Sequence, residues 1–493
     1  MREVAIVGGG VGGLASGALL AAKGVRVTVY EKNGTLGGRS SKLQLGEFSF
    51  DLGPTFFMYR AVLEELFTSM NLHLDDHLKL RKLDPLYSLH FEDFTFNPSS
   101  DADKTLEEIR RRFPGNEKGY LAFRRDQARR FKRIARIMRM RFDKPYHYLH
   151  PNVLRGIPYI NPFRSIMSQL RRYYRDDSLI HASAFQSKYL GLSPYETPAL
   201  FTILSFLEHV HGLYHVEGGL NAINHAFARI IEAHGGDIQL NTPVEKIETQ
   251  GRQVKGLVLE DGTRVVKDGY FLNADFARAM TTLLDEKARG RYTDRKLSRM
   301  KYSLSTFNLY LGMDTHFDIP HHNILFPSDY EAFIRDIGAG SLPDALSVYL
   351  HNPSTLDPTL APKGKSALYA LVPVPNNDAG IDWDARREAF KGQILDTLEA
   401  RTGMKNLRAH IVESKTITPR DWERDYHVHK GAVFNLAHNY SQMLYFRPHN
   451  QFNSLDNLYL TGGGTHPGSG LPTIYLSAKI STDIFLSNMA SRK

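Results

Sequence analysis

The sequence predicts an α/β protein that opens on a Rossmann-like, dinucleotide-binding βαβ unit. Three features of the chain predict it. The apolar strand Glu3-Val-Ala-Ile-Val7 runs straight into Gly8-Gly-Gly10-Val-Gly12-Gly13, a hexad of the form GxGxxG. A helix of small residues follows, from Leu14 to Lys23. A second strand, Val25 to Tyr30, then ends at Glu31, roughly 20 residues beyond the glycines. An isolated GxGxxG is weak evidence, whereas the succession strand, glycines, helix, strand and acid is a nucleotide cradle.

Each part of that unit has a physical task. Gly8 makes the tight turn, Gly10 and Gly12 let the backbone approach a pyrophosphate, and Gly13 lets the helix pack on the strand. The helix N-terminus offers free N–H groups and a partial positive charge to the anion. Glu31 can accept from ribose hydroxyls, with Lys32 beside it. A second glycine loop follows at Gly37-Gly38-Arg39, then Phe48-Ser-Phe-Asp51-Leu-Gly53-Pro54-Thr55. Paired glycines permit a backbone run too close to a ligand for any Cβ, and Arg39 can donate charge-assisted bonds to phosphate. A nicotinamide enzyme has no need of this second loop.

With these residues the sequence resembles the large flavoprotein family of amine oxidases, protoporphyrinogen oxidases and carotenoid desaturases. The implied cofactor is FAD, crossed by the Gly37–Arg39 loop. The resemblance continues at the C-terminus, where Leu458-Tyr-Leu460 meets Thr-Gly462-Gly463-Gly464-Thr465-His466-Pro467-Gly468 and then Leu471-Pro472, with a helix from Ile474 to about Leu486. This loop forms a further backbone anion site, closing over the pyrophosphate or the flavin's dione edge. The broad family often carries an acidic residue there; Thr465-His466-Pro467-Gly468 is similar instead to bacterial carotenoid desaturases of the phytoene and diapophytoene (dehydrosqualene) type. Phe50-Asp-Leu-Gly-Pro-Thr55, His351-Asn-Pro-Ser, Leu360-Ala-Pro-Lys-Gly364 and Thr418-Pro-Arg-Asp421 extend the likeness along the whole chain.

Between these ends the pattern alternates. Asp237 to Leu240, Thr242 to Ile247, Val254 to Leu259 and a run ending at Phe271 read as a β-meander, with a hairpin signal at Asp261-Gly262. A helix starting near Val216 and reaching Ala233 precedes it. In the resembling family this pair is the second part of the nucleotide domain, and backbone near Val244 binds the adenine. The resemblance therefore implies a discontinuous, Rossmann-like FAD-binding domain from 1–80, 211–280 and 446–493. A helical, membrane-facing region at 81–210 and a β-sheet substrate domain at 281–445 complete the expected order.

Composition bounds the classes. At 493 residues the chain exceeds one hydrophobic core. Cysteine is absent, which excludes disulfides, iron–sulfur clusters, thiol nucleophiles and a cysteinyl flavin link, so FAD is expected to be non-covalent. No apolar run approaches the ~18 residues of a membrane span. The glycines interrupting Val4 to Ala22 argue against a signal peptide, and the expected location is cytoplasmic. The net charge of +9 concentrates between Phe123 and Phe142, in Arg124, Arg125, Arg129, Arg130, Lys132, Arg133, Arg136, Arg139 and Arg141. Phe131, Ile134, Met138 and Phe142 form an apolar stripe at helical spacing. This basic amphipathic helix predicts peripheral contact with anionic membranes. Nucleic acid is disfavoured, because the aromatics do not interleave with the charges.

The resemblance also implies a chemistry. Making a double bond beside a polyene removes a hydride, accepted by flavin, and a neighbouring proton. A linear hydrocarbon has no polar handle, so an apolar channel must recognise it, with Phe185-Gln-Ser-Lys-Tyr-Leu190 and Phe201 to Phe206 as candidate walls. Quinone or oxygen is the expected electron acceptor, since no second nucleotide fingerprint serves NAD(P)H. His466 either accepts a proton or holds its loop by hydrogen bonding, the second being preferred, and no catalytic base is assigned. Glu208, His209, His211 and His215 lack a supporting second half and read as polar residues at a domain junction rather than a metal site. A terminal-methyl oxygenase of the same family, an amine oxidase and a prenyl-binding module are the competing readings.

Overall fold

The computed structural model describes residues 2–161 and 163–491. Its organising element is a five-stranded parallel sheet in the order Asp237–Gln239, Arg26–Tyr30, Glu3–Val7, Gly269–Leu272, Leu458–Leu460. Both faces of such a sheet are covered, so its strands are apolar throughout, and Val4, Ala5 and Ile6 are fully buried. Helices Val11–Ala21, Asn221–Ala233 and Leu471–Ala490 share one core with it, including Leu14, Ala18, Phe227 and Tyr475. The sheet thus gathers strands from three separated stretches of the chain.

The meander is smaller than the sequence pattern predicts. It comprises Val244–Gln250, Gln253–Leu259 and Arg264–Val265, paired antiparallel. Asp237–Gln239 and Gly269–Leu272, at either end of the predicted run, have joined the parallel sheet instead. Burial explains the exchange: all of Gly269–Leu272 is buried, as a central parallel strand requires.

A mixed seven-stranded sheet runs Ile411–Ile417, Ser305–Met313, Ser366–Val374, Val348–His351, His322–Leu325, Ser88–His90, Thr95–Phe96. Its pairs are antiparallel except His322–Leu325 with Ser88–His90. Helix Trp383–Thr402 packs Trp383 and Phe390 on Phe307 of this sheet. A three-stranded sheet of Phe57–Met58, Leu213–Val216 and Leu80–Lys82 contributes Leu213 to the core of the seven-stranded sheet and Phe57 and Val216 to that of the parallel sheet.

The basic segment forms helix Glu117–Ile137. Met138 caps it and Phe142 lies beyond it, so the predicted stripe is only partly helical. One predicted outward charge is wrong. Arg130 is 5% exposed and donates to Thr202 Oγ1 at 2.9 Å, Gln127 Oε1 at 3.2 Å and the Ala199 carbonyl at 3.3 Å. Arg125, Arg129, Lys132 and Arg136 are exposed, and Arg133 is half-buried. The next helix, Pro151–Ile160, carries an apolar surface that the sequence reading missed: Leu149 before it is 70% exposed, and Leu154 and Ile157 about half. Among the described residues no helix is long and apolar enough to cross a membrane.

Candidate active site

The first strand delivers the glycine motif to the edge of a cavity of about 1210 Å³. Helix Val11–Ala21 begins within the motif, three residues earlier than its composition suggests. Its first-turn N–H groups therefore have no intrahelical acceptor and open towards the cavity lined by Gly8, Gly10, Val11 and Gly12. Gly13 does not line it. A Cβ there would stand 2.2 Å from the Gly8 carbonyl oxygen, so Gly13 is what allows helix and turn to touch. Asn273, at the end of the neighbouring strand, donates to the Gly8 carbonyl at 3.2 Å and braces the turn.

Glu31 is buried where its strand ends. One carboxylate oxygen accepts from the Gly9 N–H at 2.8 Å and the other from the Asn33 N–H at 2.9 Å. Burial pushes its pKa up, against the pull of those two N–H groups. Lys32 also lines the cavity and donates to the Asp425 carbonyl at 2.8 Å.

The second loop lies against the first: the Gly37 N–H donates to the Gly9 carbonyl at 2.8 Å. Gly37 has φ +110°, and a Cβ there would meet the Asn221 amide at 2.6 Å, so only glycine fits. Arg39 pairs with Asp275 at 2.5 Å, while its Nε is buried without a partner. Gly53, Pro54 and Thr55 continue the lining, and the Thr55 hydroxyl meets that of Tyr349 at 2.5 Å.

The C-terminal loop closes another side. Gly463, Gly464, His466, Leu471 and Pro472 line the cavity, whereas Thr465 is buried behind the loop. Arg447, fully buried, donates to the carbonyls of Gly463 at 2.6 Å and of Thr465, Gln442 and Leu436 at 3.3 Å. His466 bonds through Nε2 to the Met140 carbonyl at 2.8 Å and packs on Phe142. Burial lowers its pKa to about 4, so the ring is neutral and Nε2 donates. This contact ties the glycine loop to the end of the basic helix. Val244, at the start of the meander, reaches the same cavity.

Beyond the glycine loops the lining turns apolar. Phe131, Ile134 and Met138 of the basic helix face this space rather than a membrane. Phe185, Tyr189 and Leu190 line it, as do Phe201, Ile203 and Leu204; Gln186, Ser187, Thr202, Ser205 and Phe206 do not. Lys188, within the first of these segments, was not singled out from the sequence. Its ammonium lies over Phe326, Tyr330 and Phe333 and donates to Ser347 at 2.5 Å. Burial lowers its pKa to about 7, which leaves a neutral amine, able to accept a proton, well populated at the wall.

His209, His211 and His215, read from the sequence, with Glu208, as polar residues at a domain junction, point to different partners. His211 packs on Tyr59 and Phe131, and His209 lies within 3.4 Å of the Tyr87 hydroxyl. His215 turns away to Asp357, at 2.9 Å. Asp275, Asn273 and Arg447 were also missed. Their partners are hundreds of positions away or carry no motif, leaving no local signal.

Three backbone loops around a partnerless guanidinium N–H suit a large anionic ligand, and a chamber with few polar groups continues from them. That combination fits a dinucleotide cofactor held beside an apolar chamber. The family model for flavin-containing amine oxidoreductases matches residues 11–483. A 4,4'-diapophytoene desaturase (4,4'-diapolycopene-forming) of Methylomonas sp. is 44% identical over 98% of this chain and 95% of its own. A zeta-carotene-forming phytoene desaturase of Myxococcus xanthus is 36% identical over 98% and 93%. Among solved structures, an oxidoreductase from Methanosarcina mazei superposes with a TM-score of 0.67 at 17% identity, covering 98% of this chain and all of its own. The chain belongs to the flavin-containing amine oxidoreductase family, within its carotenoid desaturases. Its cofactor is FAD.

Proposed function

We propose that the protein is an FAD-dependent desaturase that converts a colourless linear polyene of the phytoene or diapophytoene type into a conjugated carotenoid. The observation that carries this is the continuity of one cavity, glycine-walled at one end and aliphatic and aromatic at the other. Each new double bond requires a hydride from one carbon and a proton from its neighbour. FAD, when bound, would supply the hydride acceptor, with quinone or oxygen as the expected final electron acceptor.

The chain's own residues bind and exclude. Gly8, Gly10, Gly12, Gly37 and Gly38 would admit the pyrophosphate, and the free Nε of Arg39 would donate to it. Glu31, with Lys32 beside it, would hold the ribose, and backbone at Val244 the adenine. Gly53, Pro54, Thr55, Gly463, Gly464, His466, Leu471 and Pro472 would enclose the flavin ring, with Thr465 supporting from behind. Gly13 acts through packing alone. Domain limits at 1–80, 211–280 and 446–493 for the cofactor part, with 81–210 and 281–445 for substrate, follow from this assignment.

A hydrocarbon can be held only by shape and exclusion of water, which the apolar walls provide. Loss of hydride would leave an allylic cation on the substrate, and the aromatic rings of Phe185, Tyr189 and Phe201 in the cavity wall could stabilise positive charge. Ile157 both lines the cavity and is 53% exposed. That double placement supports the apolar helix as the substrate entrance, seated on a membrane. Arg125, Arg129, Lys132 and Arg136 of the helix packed beside it would attract anionic headgroups.

The test is expression in cells that accumulate the colourless precursor. Visible absorption by a product lighter by pairs of hydrogens is expected. A product that gains oxygen, or oxidation of a soluble amine instead, would overturn the proposal.

A further inference from the structure

Behind the cavity wall, three histidines from separate parts of the chain converge. His215 lies on strand Leu213–Val216, His321 immediately precedes strand His322–Leu325, and His351 ends strand Val348–His351. The latter two strands pair antiparallel with His322 opposite His351, which brings His321 and His351 to the same end of the pair. One ring nitrogen from each of His215, His321 and His351 lies within 4.8 Å of the others. The rings meet edge to face, His321 standing 5.0 Å from His215 and 4.7 Å from His351 between centroids.

The hydrogen-bond inventory around this group is incomplete in one particular way. Both ring nitrogens of His321 and Nε2 of His351 are buried with no partner in the protein. A buried polar group left without a partner destabilises the fold, so such a cluster calls for a ligand. Neutral imidazole is the form that binds metals, through the ring nitrogen that holds no proton.

His215 is oriented as a ligand would be. Its Nε2 donates to Asp357 at 2.9 Å, leaving the lone pair on Nδ1. Asp357 is itself fixed by the Gly218 N–H at 2.7 Å and by the Thr359 N–H at 3.0 Å and hydroxyl at 2.6 Å. A carboxylate behind a histidine sets the tautomer and raises the basicity of the ring, the usual support of a bound metal ion. His322 stacks on His351; its Nδ1 is engaged by the Tyr349 hydroxyl at 2.6 Å, and its Nε2, although also without a partner, is not among the nitrogens that lie within 4.8 Å of one another. It stands beside the group and not in it.

We propose that His215, His321 and His351 bind one divalent transition-metal ion, with zinc the best match, as a structural clamp between the three-stranded and seven-stranded sheets. Three imidazoles, with a water completing the tetrahedron, suit zinc. Tetrahedral binding would draw the nitrogens to about 3.3 Å apart, from Zn–N lengths of about 2.0–2.1 Å, a change that ring rotation can supply. Through His322, Tyr349 and Thr55 the clamp would steady the cavity wall without contributing to desaturation. The proposal is independent of the substrate assigned above.

The test uses the full-length, FAD-loaded protein. After equilibration with Zn²⁺ and desalting, one zinc per chain is expected by elemental analysis, with a raised melting temperature. The double variant His321→Ala/His351→Ala should lose zinc affinity by about 100-fold or more, measured against a chromophoric chelator. The exposed pair His73→Ala/His150→Ala should retain it. Cobalt(II) added to the unmodified protein should give the absorption of a tetrahedral site at wavelengths beyond the flavin bands, a readout that does not depend on any variant's folding. Substoichiometric zinc after equilibration, equal affinity in the His321→Ala/His351→Ala protein, or only octahedral cobalt spectra would each overturn the clamp.

Discussion

Glu31→Gln is the sharpest perturbation of the cofactor cradle, because it changes charge and hydrogen-bond type while keeping shape. In the native protein both carboxylate oxygens accept from backbone, at the Gly9 and Asn33 N–H groups. An amide has one oxygen. Whichever way it is turned, its NH₂ must face one of those donors, leaving a buried N–H without an acceptor at a cost of about 1–3 kcal/mol. Burial disfavours the native charge, so the neutral amide recovers part of this in folding stability. It recovers nothing in FAD binding, where the ribose loses a charged acceptor. A hydrogen bond to a charged group contributes about 1.5–3 kcal/mol, so at about 1.4 kcal/mol per tenfold FAD affinity should fall by about 10- to 140-fold. The raised pKa also fixes the sign of the pH effect. The native carboxyl's contribution to stability is present below its unfolded value and is lost as pH rises through the folded one. The stability gap between native and variant apoproteins should accordingly narrow as pH rises. Titrating apoprotein with FAD by flavin fluorescence, with circular dichroism to confirm folding, measures the binding. Unchanged affinity in a folded variant would remove Glu31 from the ribose.

Gly13→Ala should cost about 1–3 kcal/mol and most of the FAD content of the purified protein, since its Cβ would overlap a backbone oxygen that cannot swing away; normal melting temperature and flavin content would refute the packing role. His466 should make the protein acid-sensitive. Its folded pKa is lowered to about 4 by burial, so its contribution is complete above about 6.5 and lost as pH falls towards 4, on the order of 3 kcal/mol. His466→Gln should flatten denaturant-measured stability over that window, and a native-like pH profile would count against it. Reversing Arg125, Arg129, Lys132 and Arg136 to Glu should abolish the salt-sensitive part of sedimentation with anionic liposomes, each charge being worth about 1 kcal/mol near the surface. Leu149→Ser/Leu154→Ser should instead weaken the salt-insensitive part, and the surface assignment fails if neither set changes binding.

What could be read from the sequence depended on how far apart in the chain the interacting groups stand. The glycine cradle is local: strand, turn, helix and Glu31 fall within one supersecondary unit, so spacing alone carries the geometry. Arg39 was legible as an anion donor, but Asp275, which holds it, follows a strand added to the sheet by a long crossover. Helical periodicity located the stripe of Phe131, Ile134 and Met138 correctly and misjudged what it faces, because period reports a shared side and says nothing of the neighbour across it. The same blindness made Arg130 an outward charge, although Thr202 and Ala199 receive it in the interior. It also hid the exposed apolar side of Pro151–Ile160, whose residues in isolation read as core. The histidines show the limit most plainly. His215 was visible beside His209 and His211 and, lacking a second half, read as a polar residue at a domain junction. That half is supplied by strand register, which sets His322 opposite His351 and presents His321 beside them. Register is decided by the burial of entire strands, here nearly every side chain of the two. A cluster created by register therefore leaves no trace in the spacing of its members, and only the folded chain can display it.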